Sequence, residues 1–251
     1  MRRVLVHWFG RPIYSYPVML YLGIVLGIYT ELLAARRIGV DSGDLLLATL
    51  IMAAVAWLGS RLLYVALYWP RYRGRPGRIL NFAEGGASIY GGLLLAVPVS
   101  LPVLPVFGIR FGVFWDLATF VMLAGMAIGR IGCFLSGCCA GRAYAGRLSM
   151  YLPDGQRRWR RRIPSQLVES AWSATLLVGA IALWRRLPFD GALLLYAMAG
   201  YGGGRLFLEK LRQDPDRIAG FSAQRVISLS LVAIALATFA LVTSGLVPIG
   251  E

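Results

Sequence analysis

Residues 129–142 read GRIGCFLSGCCAGR and come directly after the apolar run 121–128. Arg130 therefore stands where hydrocarbon is expected, and a guanidinium at membrane depth is costly unless it faces a cavity, a partner or a substrate. The four glycines of the stretch let a backbone or a ligand approach closely, and glycines at this density often end a helix. We therefore expect the rest of the chain to build a membrane cavity around this segment.

The composition is that of an integral membrane protein. Of the 251 residues, 58% are apolar and only 15% are charged, whereas about a quarter of the residues in soluble proteins are charged. The net charge of +14 comes almost entirely from arginine, which in a membrane protein indicates anionic headgroups or topology rather than nucleic acid. Three cysteines imply no disulfide framework, and the single histidine, His7, argues against a His-based metal site or a Ser-His-Asp triad.

Seven apolar stretches approach the roughly 20 residues that a membrane-spanning helix needs. They are residues 18–35, 45–69, 87–107, 114–135, 166–184, 191–209 and 222–246, with three prolines loosening the far half of the third. Residues 1–17 lack the apolar core and cleavage site of a signal peptide. We predict an all-α integral membrane protein, a bundle of about seven transmembrane helices. Residues 1–251 form a single polytopic membrane domain, and residues 137–164 form a small polar head region outside the membrane.

The arginines are distributed unevenly between the two predicted membrane faces. Most of them share one face with the N-terminus, including the cluster at 157–162, which is typical of a solvated or headgroup-contacting loop. The positive-inside rule would place this face in the cytoplasm. Binding of anionic headgroups would give the face a separate reason to be basic. The residues alone therefore leave both orientations open.

A few charged side chains lie inside or at the mouth of the predicted spans: Arg61, Arg130, Glu169, Arg205 and Glu209. Arg205 and Glu209 are four residues apart and share a helix face, so they could form only an internal ion pair. Because several of these groups fall on the same predicted side of the bundle beside glycine-rich backbone, we favour a site. Arginine grips phosphate through two parallel N–H groups, which indicates a phospholipid headgroup. A neighbouring carboxylate would orient the arginines or act as a base.

Two further patterns are ambiguous by themselves. In residues 84–92, two glycine pairs flank Tyr90, which indicates close helix packing more readily than a hydroxyl presented to a lipid. The cysteines at 133, 138 and 139 lack the paired CxxC spacing of a metal site and show no fourth ligand. We interpret them as packing residues and expect neither a metal nor a cofactor.

Four segments, in order, resemble the prolipoprotein diacylglyceryl transferase family. They are residues 85–93 (GGASIYGGL), 129–142, 164–169 (PSQLVE) and 201–209 (YGGGRLFLE), the last running on to 212–216 (RQDPD). Weaker similarity to the family is found at the start of the first span and of the last span. The residues are Tyr16, Pro17, Tyr21 and Gly23 in the first, and 222–228 in the last. Any one segment is weak, but the ordered set covers nearly the whole chain.

The resemblance implies a seven-helix enzyme of the bacterial inner membrane with a small extracytoplasmic head. Such an enzyme transfers the diacylglyceryl group of phosphatidylglycerol to the lipobox cysteine thiol of a preprolipoprotein and releases glycerol phosphate. It would bind phosphatidylglycerol, a lipobox peptide and the bilayer, without nucleic acid or cofactor. The resemblance also places the arginine-rich face outside the cytoplasm.

Matched by motif, the site residues follow from the resemblance. Arg130 and Arg205 correspond to the family's essential arginines, Glu169 and Glu209 to its glutamates, and Gly141 to its signature glycine. These two arginines, both glutamates and Tyr90 are the expected catalytic residues. The expected lipid-binding residues are Tyr21, Gly91, Gly92, Arg130, Gly141, Arg142 and Arg205.

The chain departs from the family pattern where a base is usual. Tyr90 and Ile163 replace histidines, and Cys133 and Cys138 replace an asparagine and a glutamate. A phenol with a pKa of about 10 is a poor base at neutral pH. Tyr90, Glu169 or Glu209 would have to replace the base, or the acceptor is not a lipobox thiol. The alternatives are a paralogous lipid transferase with another acceptor and, last, a lipid-binding or transport protein, although no internal repeat typical of transporters is visible.

Overall fold

The computed structural model describes residues 3–74, 76–79, 88–153, 158–211, 217–218 and 221–246. Its α-helices are α1 (Ser15–Arg37), α2 (Ser42–Leu67), α3 (Trp69–Tyr72), α4 (Ile89–Val103), α5 (Phe111–Ser136), α6 (Ser165–Leu183), α7 (Ala192–Leu208) and α8 (Ala223–Thr243). Helices dominate the described residues, which confirms the predicted all-α membrane fold. Three stretches singled out in the sequence, 84–87, 212–216 and Arg157, lie outside the described residues.

Each of the seven predicted spans corresponds to a helix, α3 being a four-residue turn after α2. Within the described ranges, six helices are long and apolar enough to cross a membrane. The sixth predicted span differs, because the 17 residues of α7 rise about 26 Å at 1.5 Å per residue, less than the ~30 Å of a bilayer core. A 3₁₀ helix, Glu209–Leu211, continues α7, so the whole helical stretch comes close to that thickness.

The prolines of the third span change the type of helix without ending it. Pro98 and Pro102 lie inside α4, and the chain then tightens into a 3₁₀ helix, Leu104–Phe107, that contains Pro105. A proline cannot donate the backbone hydrogen bond of an α-helix. Gly108, with φ +63°, stops the helical stretch.

Short antiparallel hairpins accompany the helices. They are β1 (Val4–Trp8) with β2 (Arg11–Tyr14), β3 (Met150–Pro153) with β4 (Trp159–Arg162), and β5 (Arg217–Ile218) with β6 (Phe221–Ser222). The β3–β4 hairpin falls in the predicted head region and pairs Met150 with Arg162. The β1–β2 hairpin was not predicted from the sequence, because only one of its turn residues, Phe9 and Gly10, is of a type that favours positive φ. Both have positive φ, 46° and 74°, as a type I′ turn requires.

The chain divides into two compact units, one of residues Leu32–Phe114 and one of Met1–Glu31 with Trp115–Glu251. In the 32–114 unit, α2 packs on α4 through glycines. A Cβ on Gly59 or on Gly91 would collide with the carbonyl oxygen of the other, and a Cβ on Gly92 would lie 2.9 Å from the oxygen of Ala56. Small residues allow membrane helices to approach this closely.

Arg61 is fully buried in the same unit. Its Nε and Nη2 donate to the carbonyl oxygens of Ile79 and Arg78 at 2.8 and 2.9 Å. The guanidinium also lies over the rings of Tyr64 and Tyr72. Arg61 therefore ties the loop after α3 to α2, which is a structural role.

The other unit contains most of α1 and of α5, and all of α6, α7 and α8. A Cβ on Gly27 of α1 would lie 2.6 Å from the backbone of α5, so these helices also cross at a glycine. Near the start of α5, the carboxylate of Asp116 accepts from the backbone N–H groups of Gly191, Leu193 and Leu194 at 2.8, 2.9 and 3.0 Å. A side chain of one helix thus caps another, because a carboxylate satisfies the unpaired N–H groups at a helix start.

Candidate active site

Two arginines and one glutamate meet where three helices end or begin. Arg130 lies in the last two turns of α5, Glu169 in the second turn of α6 and Arg205 in the last turn of α7. Arg130 Nη2 is 2.6 Å from Glu169 Oε2, and Arg205 Nη1 is 3.0 Å from Glu169 Oε1. The structure thus brings together three of the five residues that were expected to be catalytic.

Within the cluster, the carboxylate of Glu169 faces two guanidinium groups, one through each oxygen. The members of the cluster differ in access: the side chain of Arg130 is 25% exposed, whereas those of Glu169 and Arg205 are 7% and 4% exposed. A guanidinium has five N–H donors and binds carboxylate or phosphate oxygens in pairs. Arg130 is therefore the member of the cluster that an incoming anion can reach.

Three polar contacts around Glu169 hold its helix in place. They were not predicted from the sequence. Ser170 Oγ donates to the carbonyl oxygen of Ala127 at 2.6 Å, which fixes α6 against α5. Ser165 Oγ and Gln166 Nε2, at the start of α6, donate to the carbonyl oxygens of Cys139 and Cys138 at 3.0 and 2.5 Å. Ser165 and Gln166, the two polar residues of the PSQL segment, were the sequence signal for these contacts, since a polar group that is buried needs a hydrogen-bond partner.

Glu209 follows α7 directly and is buried. Its Oε2 lies 3.5 Å from Nε of Arg225 at the start of α8. Arg205 and Glu209 therefore each have a charged partner on another helix, Glu169 on α6 and Arg225 on α8. Arg225 was not among the predicted site residues, although it lies in the 222–228 stretch that resembles the family.

Gly141 lies where three backbone segments meet. Its N–H donates to the carbonyl oxygen of Ile163, and the N–H of Arg142 donates to that of Leu211 at 2.8 Å. A Cβ on Gly141 would lie 2.5 Å from the oxygen of Leu211, so the position excludes a larger residue. The Arg142 side chain is exposed.

The interpretation of cluster 157–162 as solvated is wrong for its last residue. Arg162 is 2% exposed, and its Nη1 donates to the carbonyl oxygen of Gly141 at 3.2 Å. Burial follows from its position at the inner end of β4, opposite Met150. Arg158, Arg160 and Arg161 are exposed, as expected.

The other expected site residues lie on α1 and α4. Tyr21 is 69% exposed on α1. Tyr90, Gly91 and Gly92 begin α4 in the 32–114 unit, where the two glycines pack against α2. Helix packing accounts for both glycines. A role in lipid binding stays a prediction for Tyr21, Gly91 and Gly92, and a catalytic role stays a prediction for Tyr90.

The three cysteines converge although their spacing did not suggest it. The sulfur atoms of Cys133, Cys138 and Cys139 all lie within 4.8 Å of one another. Cys133 is buried, and the other two are exposed. Hydrogen bonding with the sulfurs of Cys133 and Cys139 raises the pKa of the Cys138 thiol, so a smaller fraction of this thiol is ionised at neutral pH than of an ordinary cysteine.

Comparison with known proteins agrees with the arrangement of these motifs. The family model for prolipoprotein diacylglyceryl transferase matches residues 3–241. A phosphatidylglycerol–prolipoprotein diacylglyceryl transferase of Bacillus cereus (strain G9842) is 29% identical over 241 residues, which cover 93% of this chain and 89% of the relative. A protein of the same name from Bacillus cytotoxicus is 28% identical over 245 residues with the same coverage. This multi-pass membrane chain belongs to the prolipoprotein diacylglyceryl transferase family.

Proposed function

We propose that this protein transfers the diacylglyceryl group of phosphatidylglycerol to the lipobox cysteine thiol of a prolipoprotein. One observation carries the proposal: Arg130 and Arg205 bind the same carboxylate, that of Glu169, and Arg130, whose side chain is 25% exposed, presents its positive charge to an incoming anion. That charge suits a phosphodiester at the ends of membrane helices. The family match and the names of the relatives supply the donor and the acceptor.

The reaction replaces a carbon–oxygen bond by a carbon–sulfur bond. The thiol sulfur attacks the glycerol carbon of the diacylglyceryl group that bears the phosphate ester. The electron pair of the breaking bond goes to the phosphate oxygen, and glycerol phosphate leaves. Arg130 stabilises the charge that develops on this phosphate, which is the kind of interaction that lowers a barrier most when the donors are already oriented.

The other members of the cluster act through Arg130. Each oxygen of Glu169 already faces one arginine, so Glu169 serves as a positioning residue and not as the base. Arg205 is buried and adds positive charge behind the carboxylate. Of the candidates named above, Glu209 lies in the same unit as the cluster and is left to accept the thiol proton.

The protein works in the bacterial inner membrane as a single polytopic domain, with residues 137–164 as a head region outside the bilayer. The arginine-rich face then lies on the extracytoplasmic side, where a prolipoprotein presents its lipobox. The exposed arginines of β4 would contact anionic headgroups there.

Arg130→Ala tests the assignment. Purified protein is incubated with phosphatidylglycerol and a lipobox peptide, and the peptide mass is followed for addition of a diacylglyceryl group. We expect transfer to fall by at least about 100-fold, the typical cost of removing a transition-state donor. Arg186→Ala, which removes an exposed arginine beyond α6, is the matched control and should behave as wild type. Wild-type transfer in Arg130→Ala would overturn the mechanism.

Tyr90 favours one second candidate, transfer of the same group to another acceptor, because it stands where the family resemblance expects a histidine. This candidate predicts that wild-type protein consumes phosphatidylglycerol in a membrane extract and leaves the lipobox peptide unmodified. Modification of the peptide in the assay above would exclude it as the main activity.

A further inference from the structure

We propose that Cys133, Cys138 and Cys139 form a binding site for a thiophilic d¹⁰ metal ion, Cu(I) or Zn(II). The inference is independent of the transfer reaction, because it rests on the folded geometry of the cysteines alone. Thiolate ligands select Cu(I) and Zn(II) over harder cations such as Mg²⁺ and Ca²⁺.

The loop after α5 brings the three sulfurs together. Cys133 lies in the last turn of α5, Gly137 turns the chain with φ +72°, and Cys139 has φ +62°. The Cys138 and Cys139 sulfurs are 3.4 Å apart, and all three sulfurs lie within 4.8 Å of one another. Metal–sulfur bonds of about 2.3 Å place two ligands of one tetrahedral ion about 3.8 Å apart. A contraction of about 1 Å or less therefore brings all three sulfurs onto one ion.

The exposure of two of the three cysteines favours metal ligands over residues that only fill space in the core. Cys138 and Cys139 are exposed, whereas Cys133 is buried. An ion can therefore enter from the exposed side, and a fourth ligand can come from solvent, as in zinc sites with an open position.

The surrounding structure holds the loop in place. Gln166 and Ser165 bind the carbonyl oxygens of Cys138 and Cys139, the two residues that carry the exposed sulfurs. A site whose ligands are positioned by packed and hydrogen-bonded neighbours loses less entropy when the ion binds. On binding, each ligating thiol releases its proton to solvent.

Metal titration of the purified full-length protein tests the site. The protein is stripped of metal under anaerobic conditions and titrated with Co(II), Zn(II) and, in competition with a Cu(I) chelator, Cu(I). We expect one equivalent of Cu(I) or Zn(II) per chain. If Zn(II) is the occupant, Co(II) gives thiolate charge-transfer absorption that Zn(II) abolishes. If Cu(I) is the occupant, binding survives competition by the chelator.

Single substitutions assign the ligands. Since outer contacts of metal ligands alone change affinity about 10- to 100-fold, we expect Cys138→Ser and Cys139→Ser each to lose at least about tenfold in affinity. The chain has three cysteines, so a Cys133→Ala, Cys138→Ser, Cys139→Ser variant is free of thiols. Ser149→Ala, a hydroxyl deletion in the same head region, is the control and should bind as wild type.

Two results would overturn the proposal. One is wild-type binding no tighter than that of the thiol-free variant, and the other is full affinity in both single-serine variants. Because Cys138 and Cys139 are exposed, their single variants should fold normally, which thermal unfolding checks.

Discussion

At the residue scale, Glu169 holds the two arginines of the site through its ion pairs. Its carboxylate binds two guanidinium groups, one through each oxygen. Removing one partner of a buried ion pair costs far more than removing a surface charge, because the remaining charge keeps its desolvation penalty. Glu169 therefore stabilises both the fold and the positive charge proposed to bind phosphate.

Glu169→Gln keeps the shape of this side chain and removes its charge. We expect the free energy of unfolding to fall by about 3–5 kcal/mol, the usual cost of breaking a buried pair, and transfer activity to fall with it. Equilibrium unfolding of the purified protein in detergent measures the first effect, and the peptide assay measures the second.

Asp44→Asn serves as the comparison, since Asp44 is an exposed carboxylate in the first turn of α2. It should change stability by less than about 1 kcal/mol. Equal stability loss in the two variants would mean that Glu169 is not the shared anchor of the arginines.

The types of these residues could be predicted from the sequence, but their pairing could not. Charged groups in apolar stretches single out Arg130, Glu169 and Arg205. Glu169 and Arg205 are 36 residues apart, and no local spacing states which carboxylate faces which guanidinium. The burial of Arg162 was missed for the same reason, because its partner is a backbone carbonyl, which every residue has.

At the scale of elements, Asp116 connects two helices that are distant in sequence. It accepts three N–H groups at the start of α7, where an ordinary N-cap would come from the residue before the helix. That residue is Gly191, which has no side chain to offer.

Asp116→Ala leaves those three N–H groups without their acceptor. We expect a loss of about 1–2 kcal/mol in the free energy of unfolding, at the upper end of the range for helix caps. Backbone hydrogen exchange at residues 191–194 should become faster, because their amides lose a hydrogen bond. Mass spectrometry of exchanged peptides measures this directly.

Asp41→Ala is the matched substitution, because Asp41 caps its own helix, α2, from an exposed position. Water can replace that carboxylate, so we expect a loss of only about 0.5–1 kcal/mol. Unchanged exchange at 191–194 in Asp116→Ala would contradict the capping role.

Helix positions were well predicted because membrane spans depend on length and hydrophobicity. The predicted third span, for example, begins near α4 and ends at Phe107 as expected. The short α7 and the β1–β2 hairpin were harder to predict, since both depend on local backbone conformation. Phe9 at positive φ has no sequence signature, whereas Asn-Gly would have indicated the turn.

At the scale of the whole molecule, the family resemblance and the distribution of arginines favour opposite orientations in the membrane. The family resemblance favours an extracytoplasmic arginine-rich face and the positive-inside rule favours the reverse. Truncated fusions to green fluorescent protein, which does not fluoresce after export in an unfolded state, and to alkaline phosphatase decide between them. We expect fluorescence after residues 187 and 246, and phosphatase activity after residue 218.

The same fusions test whether α7 crosses the bilayer. If α7 did not span, positions 187 and 218 would lie on one side and position 246 on the other. Phosphatase activity at 246 would also contradict the proposed orientation, because the predicted C-terminus lies in the cytoplasm.

The cap at Asp116 also constrains the number of residues between the cap and the arginine on α5 and on α7. Fourteen residues separate Asp116 from Arg130 on α5, and fourteen separate Gly191 from Arg205 on α7. The two helices run in the same direction between a fixed start and a fixed finish, each interval spanning about 21 Å at 1.5 Å per residue. Deleting one residue from either interval would turn its arginine by about 100° away from Glu169 and break the pairing, so the cap fixes the spacing of the arginine on each helix.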